Sequence, residues 1–384
     1  MSLTIETRGW PTRVGVCVVA ALAIAAMVAP GAAEAQKGKR PTVTVMTRNV
    51  FLGADLSPAI GAPGIPEAID GAGQIWNEMQ STRFAERAVP LAREIKRSKA
   101  DLVGLQEVAL WRKQTPSDLG GPPIGPGTIA ATEVEQDFLA ILRRELRRVG
   151  AKYRVVVLQQ EFDAELPVDQ DGSDQTGIAF GADFDARLTM RDVILVRTTS
   201  KLKLGKTRRG NFDTRYEPSI GGFVIPVDRG WASVEAQLKR GKRTYRFRFV
   251  DTHLEAFGDP TIREAQAKEL TKGPLKTRKQ VILVGDLNSG IGRHNEPERP
   301  GDDLAFKALA GFGMHDNGAV QSCCYQNLFD PAATFDHTVD HVLTKPRLAT
   351  VRARVTGRDA GERTASGLWP SDHGGVVSTV RLRR

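Results

Sequence analysis

The sequence predicts an α+β protein in which two β-sheets share one domain. Short Val/Ile-rich segments bounded by turn residues recur from residue 42 to the C-terminus, with helical segments between them. No Pro/Gly-rich linker and no internal repeat divides the roughly 345 residues that follow the N-terminal segment, a large but workable size for one two-sheet domain. The chain is 41% hydrophobic and 26% charged. That composition supplies a core and excludes wholesale disorder, a collagen-like chain, a coiled-coil array and a disulfide mini-scaffold.

The first element is a targeting signal. Arg8 and Arg13 precede an apolar run over 14–28, which ends in small residues at Ala33-Glu34-Ala35. This order predicts a secretory signal peptide over 1–35, then a short tail over 36–40 and the domain over 41–384. The apolar run is shorter than the roughly 20 residues a spanning helix requires, and no later segment is apolar enough to span a bilayer. The mature chain is therefore expected outside the cytoplasm, as a secreted or periplasmic protein and a monomer. Export permits a disulfide, and Cys323-Cys324 could be bridged or two separate thiols.

Strands are predicted over 42–48, 101–106, 153–159, 192–197, 232–238, 245–251, 280–285, 338–343 and 375–382. Thr132-x-x-Glu135 has the form of a capping box opening a helix to about residue 149, with Phe138, Leu139, Leu142, Leu146 and Val149 on one face. Asp259-Pro260 has the form of an N-cap with a first-turn proline, for a helix to about residue 270. A third helix, over 83–99, carries Pro90 and is expected to break or kink there.

Charge is unevenly distributed. The net charge of +9 and pI near 9.6 favour polyanionic partners. Residues 161–185 hold eight acidic side chains and no Lys or Arg, whereas 201–248 hold thirteen basic and four acidic ones. The basic segment is either a surface that tracks phosphates or strand edges protected by Lys and Arg. Asp169, Asp171 and Asp174 do not fit an EF-hand loop, whose glycine and final glutamate are misplaced here.

The chemistry gathers where hydrophobic strands end. One strand ends in Asn49, Leu-Gln-Glu107 ends another, and Phe-Val-Asp-Thr-His253 ends a third. Val-Gly-Asp286-Leu-Asn288 adds two polar groups, Val-Asp340-His-Val holds an acid inside a strand, and Ser-Asp372-His373 precedes the last strand. Strand ends feed one rim of a sheet, so these carboxylates, carboxamides and imidazoles would form a hard-cation site beside acid/base groups. Of the six histidines, His253 and His373 carry this strand-end signature. His294, His315, His337 and His341 do not.

In sequence order these motifs resemble the endonuclease/exonuclease/phosphatase superfamily, over about residues 41–384. Arg229-Gly-Trp231, the cysteine pair and Gly-Leu-Trp369-Pro-Ser-Asp372-His373 look like a secreted bacterial branch of it. The resemblance implies a four-layer α/β/β/α sandwich of two packed mixed sheets flanked by helices. It also implies hydrolysis of phosphodiester bonds with Mg²⁺, or Mn²⁺ or Ca²⁺ in its place. Glu107 matches the principal metal ligand, with Asn49 as ligand or orienter and Asp372 as a further ligand. His373 matches the phosphate-contacting base or clamp and Asp340 its partner. Asp286 and Asn288 match the pair that positions water and phosphate, and His253 a second acid/base. Arg191 and Asp192 are candidates for a further mid-chain site residue, and Arg229 either reaches the phosphate or forms a structural ion pair. The expected partner is a phosphate ester: extracellular nucleic acid ahead of phospholipid head groups (with residues 221–226 as a candidate interfacial loop), then inositol phosphates. A non-catalytic binding module on the same fold is the reading from another class.

Overall fold

The computed structural model describes residues 40–120, 127–172, 181–291 and 300–384. The signal-peptide reading, Asp174 and His294 lie outside the described residues. In chain order the strands are β1 (Thr42–Asn49), β2 (Leu102–Gln106), β3 (Leu110–Gln114), β4 (Glu133–Asp137), β5 (Tyr153–Val168), β6 (Phe184–Arg197), β7 (Leu202–Asn211), β8 (Ser219–Ile220), β9 (Phe223–Val224), β10 (Gly230–Arg240), β11 (Arg243–His253), β12 (Gln280–Ile291), β13 (His315–Asp316), β14 (Thr338–Lys345), β15 (Ala349–Thr356) and β16 (Gly375–Arg381). The helices are α1 (Ser57–Ile60), α2 (Ile65–Ser81), α3 (Phe84–Ser98), α4 (Phe138–Arg148), α5 (Pro260–Lys272) and α6 (Leu304–Gly311).

One sheet has the order β15-β16-β1-β2-β6-β3-β4, with β5 on the other edge of the long β6. The second runs β13-β14-β12-β11-β10-β7. Both are mixed, because β1 with β2 and β11 with β12 are parallel pairs among antiparallel neighbours. Val43, Val45, Leu102 and Ile194 of the first sheet pack on Val234, Phe247, Phe249, Ile282 and Val342 of the second. The outer face of the first sheet buries Ile75, Trp76, Leu91, Ile95, Phe138 and Leu142 of α2, α3 and α4. The outer face of the second buries Ala267, Leu270, Ala305 and Leu309 of α5 and α6. The result is the expected four-layer sandwich.

Side chains alternate along a strand with period two. The inter-sheet face of β1 reads Val43, Val45, Thr47, Asn49; that of β11 reads Phe247, Phe249, Asp251, His253; that of β12 reads Ile282, Val284, Asp286, Asn288. At one end, apolar core therefore gives way to polar groups on both sheets. Gln106 bridges them there, accepting from Thr47 Oγ1 at 3.1 Å and donating Nε2–H to Asp251 Oδ1 at 2.7 Å. Gly104 makes that approach feasible, since a Cβ on it would lie 2.2 Å from Asp251 Oδ1.

Several expectations are corrected. Residues 133–137 form strand β4, so Thr132 and Glu135 are not a capping box. The helix starts at Phe138, and Asp137 caps it by accepting from Leu139 N at 3.0 Å and Ala140 N at 3.3 Å. Pro90 does not break α3, which runs as one helix. β5 and β6 extend well past their predicted ends, taking much of the acidic stretch into paired strands. Residues 221–226 contribute to the small hairpin β8–β9, with Gly221 and Gly222 in the turn at φ 56° and 88°.

Candidate active site

The predicted polar residues lie at the same end of the sandwich: Asn49, His253, Asp286, Asn288 and Asp340 in strands, and Glu107, Asp372 and His373 in the chain next to β2 and β16. β12 lies between β11 and β14, in register His253 with Asp286 and Asp286 with Asp340. Asn49 joins the two sheets: its Nδ2 donates to Glu107 Oε1 and to Asp286 Oδ2, each at 3.0 Å, while its Oδ1 accepts from Phe51 N at 2.9 Å. Asn49 thereby orients both carboxylates, and the second lone pair of its Oδ1 remains open to a cation. Plain alternation would send Glu107 to the helix-covered face. Its left-handed φ of 59° breaks the alternation, and Leu52 N–H holds Oε2 at 2.8 Å. Asn288 also has positive φ, 45°, and its N–H donates to Asp286 Oδ1 at 2.8 Å.

The two histidines differ in charge. His253 Nδ1 lies 3.0 Å from Arg229 Nη1. A guanidinium only donates, so Nδ1 accepts and Nε2 carries the proton. Burial, Arg229 and His373 together hold the His253 pKa well below the ordinary histidine value, so the ring is neutral. Asn288 Nδ2 sits 3.2 Å from Nε2 and donates one proton to Leu254 O. The Nε2–H and the second amide proton thus lie side by side, two donors suited to one phosphoryl oxygen.

His373 is the opposite case. Burial opposes its charge, but Asp340, Asp286 and Asp372 outweigh burial and hold its pKa well above the ordinary value. Nδ1–H donates to Asp340 Oδ2 at 2.9 Å, and Ser322 Oγ donates to the same oxygen at 2.7 Å. Nε2–H lies 3.6 Å from Asp286 Oδ2 and 3.8 and 3.9 Å from the sulfurs of Cys323 and Cys324, which form a vicinal disulfide. At neutral pH this ring is a fixed cation.

Glu107 and Asp372 line a shared cleft of about 500 Å³, walled also by Phe51, Leu56, Phe257 and Tyr325. Burial pushes the Asp286 pKa up to about 6, with His373 opposing and Asp340 adding to the rise. Asp372 also reaches about 6, through burial opposed by His373 and augmented by Glu107. Ligand atoms of Asp286, Asp340 and His373 lie within 4.8 Å of one another, and buried Asp340 Oδ1 has no hydrogen-bond partner. Asp286 and Asp340 are already met by His373, whereas Glu107 and Asp372 face the cleft as two acids close enough for Glu107 to raise the Asp372 pKa, an oxygen-donor set that fits a hard divalent cation. Glu107 and Asp372 would hold it, and it would supply Lewis acidity at a phosphoryl oxygen.

A pH-dependent stability test follows. In the folded chain Asp286 and Asp372 keep their protons to about pH 6, whereas an ordinary aspartate loses its proton near 3.8. The folded state binds more protons in that window, so this pair lowers stability as pH rises from about 4 to 6. A cation that binds the ionised carboxylates offsets the loss. The Tm gain on adding Mg²⁺ is expected to be larger at pH 8 than at pH 5 by differential scanning fluorimetry. Equal gains at both would count against these ligands.

Of the remaining sequence candidates, Arg191 and Arg229 are structural. Arg191 donates to Val108 O at 2.8 Å and pairs with Asp137 at 2.6 Å. Asp192 is not among these: it is fully buried with ligand atoms of Glu161 and His253 within 4.8 Å, and its pKa is pushed up to about 8 by burial against the influence of Arg229, so it stands behind the imidazole of the site. Arg229 pairs with Glu255 at 3.4 Å and Glu161 at 3.9 Å, so it positions His253. Sequence reasoning missed Ser322, and also two buried arginines that brace the loops of the site. Arg87 donates to Val50 O at 2.8 Å and Pro370 O at 3.0 Å; Arg48 donates to His373 O and pairs with Glu94 at 3.2 Å. No strand-end pattern marks any of them.

No curated protein matches the sequence. Among solved structures, an endonuclease/exonuclease/phosphatase family protein from Bacteroides thetaiotaomicron is 16% identical with a TM-score of 0.51, covering 89% of this chain and 98% of its own. A mannosyl-6-phosphatase of the same organism is also 16% identical, with a TM-score of 0.50 and coverage of 89% and 100%. These likenesses bear on the fold. The profile of the Endonuclease/Exonuclease/phosphatase family matches residues 72–373, a span from α2 through Glu107 to His373 that takes in every metal-ligand and catalytic candidate read from the sequence except Asn49, and the chain belongs to that family of phosphoester hydrolases.

Proposed function

We propose that the chain is an exported, Mg²⁺-dependent phosphodiesterase. The observation that carries this reading is the pairing of a neutral donor, His253 Nε2–H beside the Asn288 amide, with a cationic His373 around crowded carboxylates from both sheets. The donors would receive the phosphoryl oxygens. Asp286 would orient the attacking water, and His373 would supply charge or a proton to the leaving oxygen. A diester fits better than a monoester. Among the described residues lining the cleft, Arg229 is the one basic side chain, and it is engaged by Glu161, Glu255 and His253. A second phosphate charge would therefore be met by His373 and the cation alone, with no free Lys or Arg among the described cleft residues.

Extracellular nucleic acid is the second reading, favoured by the net charge of +9. The location of much of the charge weakens it. On exposed edge strand β7, Arg208 and Arg209 are level with Val250 and Asp251 toward the site end, but Lys203 lies toward the other end and Lys239, Arg240, Lys242 and Arg243 surround the β10–β11 turn. From Arg243 to His253 the strand runs ten residues, about 33 Å at ~3.3 Å per residue, so that turn is remote from the cleft.

The test is cleavage by mature protein of bis-p-nitrophenyl phosphate, plasmid DNA, RNA, sphingomyelin liposomes and inositol phosphates, with Mg²⁺, Mn²⁺, Ca²⁺ or EDTA. EDTA-sensitive diester cleavage is the expected result. Silence across the panel from folded, metal-loaded protein would favour the binding-module reading. Export is supported by the basic, apolar and small-residue order of 1–35. Intact mass of protein from the medium should place the new N-terminus at Gln36.

A further inference from the structure

Beside the polar cleft lies a second hollow of different character. It has about 70 Å³ of free volume and is lined by Ala59, Ile75, Trp111, Ala164, Leu188 and Ile225 among other apolar side chains. It meets the cleft at Leu56, Arg229 and Phe257, which wall both. Arg229 is its one charged lining residue, and that guanidinium is the group that holds His253. The hollow is therefore one side chain away from the catalytic imidazole. Its outer wall includes hairpin β8–β9: Ile220 and Ile225 face inward, while Phe223 and Val224 are 38% and 59% exposed.

We infer that this hollow receives an apolar arm of the substrate, so that the ester is an amphiphile with an alkyl group next to its phosphate. The inference rests on the phosphodiesterase reading and adds a substrate class to it. A nucleobase does not suit the hollow. Its polar edges would be buried against groups that offer no hydrogen bond, at a cost that stacking on Trp111 or Phe162 would have to overcome. An alkyl arm carries no such penalty. Each methylene it buries is worth about a 4-fold gain in affinity or in kcat/KM.

The experiment uses a homologous series of p-nitrophenyl alkyl phosphates, methyl to hexyl, on the full mature protein with Mg²⁺. Alongside it, calorimetric binding of dimethyl phosphate is compared with that of butyl methyl phosphate. The expected kcat/KM rises about 4-fold per methylene until the hollow is filled and then levels off, and the butyl ligand binds more tightly than dimethyl phosphate. Ala164→Phe, which narrows the hollow from half-buried β5, is expected to flatten the series while leaving the methyl ester unchanged. A flat wild-type series with good turnover of the methyl ester would overturn the inference and leave the phosphodiesterase reading intact. No turnover of any member, together with chain-length-dependent binding, would remove the catalytic reading and keep the apolar site. Neither turnover nor preferential binding would remove both. Presenting a long-chain diester in vesicles and as monomers then separates the sources. Faster turnover in vesicles identifies a membrane lipid, and faster turnover of monomers a dispersed amphiphile.

Discussion

Glu107→Ala is expected to lower kcat on a phosphate diester by about 10³-fold or more with the fold retained. The side chain is 15% exposed at the end of β2 and faces the cleft, so its removal opens no core cavity. What is lost is a carboxylate placed for a divalent cation, and Lewis-acid stabilisation contributes several kcal/mol at about 1.4 kcal/mol per tenfold in rate. Glu107→Gln separates charge from shape, because it can still accept from Leu52 N–H. Both variants should melt cooperatively, keep the wild-type far-UV spectrum and show a reduced Tm response to Mg²⁺. Wild-type turnover with ordinary metal dependence in Glu107→Ala would remove Glu107 from the site.

His373→Ala carries the second large effect, a loss of about 10²- to 10⁴-fold in kcat, the span of a positioned proton donor or fixed charge. The imidazolium is buried and held by Asp340, itself buried and bonded to Ser322. Removing the ring leaves Asp340 short of a partner, so some loss of Tm accompanies the loss of rate. His373→Gln serves as the better-folded control. Asp340→Asn tests the pairing itself. Taking away that negative charge lowers the His373 pKa, so the alkaline limb of kcat/KM should move to lower pH. An unmoved limb would mean that Asp340 has only a structural role.

The strand ends were legible because one physical rule governs them: period-two alternation carries an apolar face into polar residues at a fixed parity, as in Phe247, Phe249, Asp251 and His253. Glu107 was found by its place after Leu-Gln, but its orientation was not legible, since no pattern marks the left-handed turn that reverses it. Helix α2 went unread because Gly71 and Gly73 lie within it. Tertiary contact explains both glycines: a Cβ on Gly73 would come 1.7 Å from Asp169 O, and one on Gly71 2.6 Å from Pro58 O. Thr132 and Glu135 have the spacing of a cap, yet pairing of β4 with β3 claimed that segment. Arg229 was weighed as ion pair or phosphate contact. The structure places it between Glu255, Glu161 and His253, a relationship that depends on residues remote in sequence.

The Asn49 amide touches one carboxylate from each sheet, and that has a consequence for how this protein would fail. The apolar interface between the sheets has no directional preference and tolerates a small slide of one layer over the other with little loss of contact. The Glu107–Asn49–Asp286 link does not, because hydrogen bonds weaken steeply with distance and angle and reacting groups displaced by 1 Å lose about 10²-fold in rate. Mild heat, denaturant or a remote core substitution that shears the layers would thus silence the protein while it still looks native by any measure of its secondary structure.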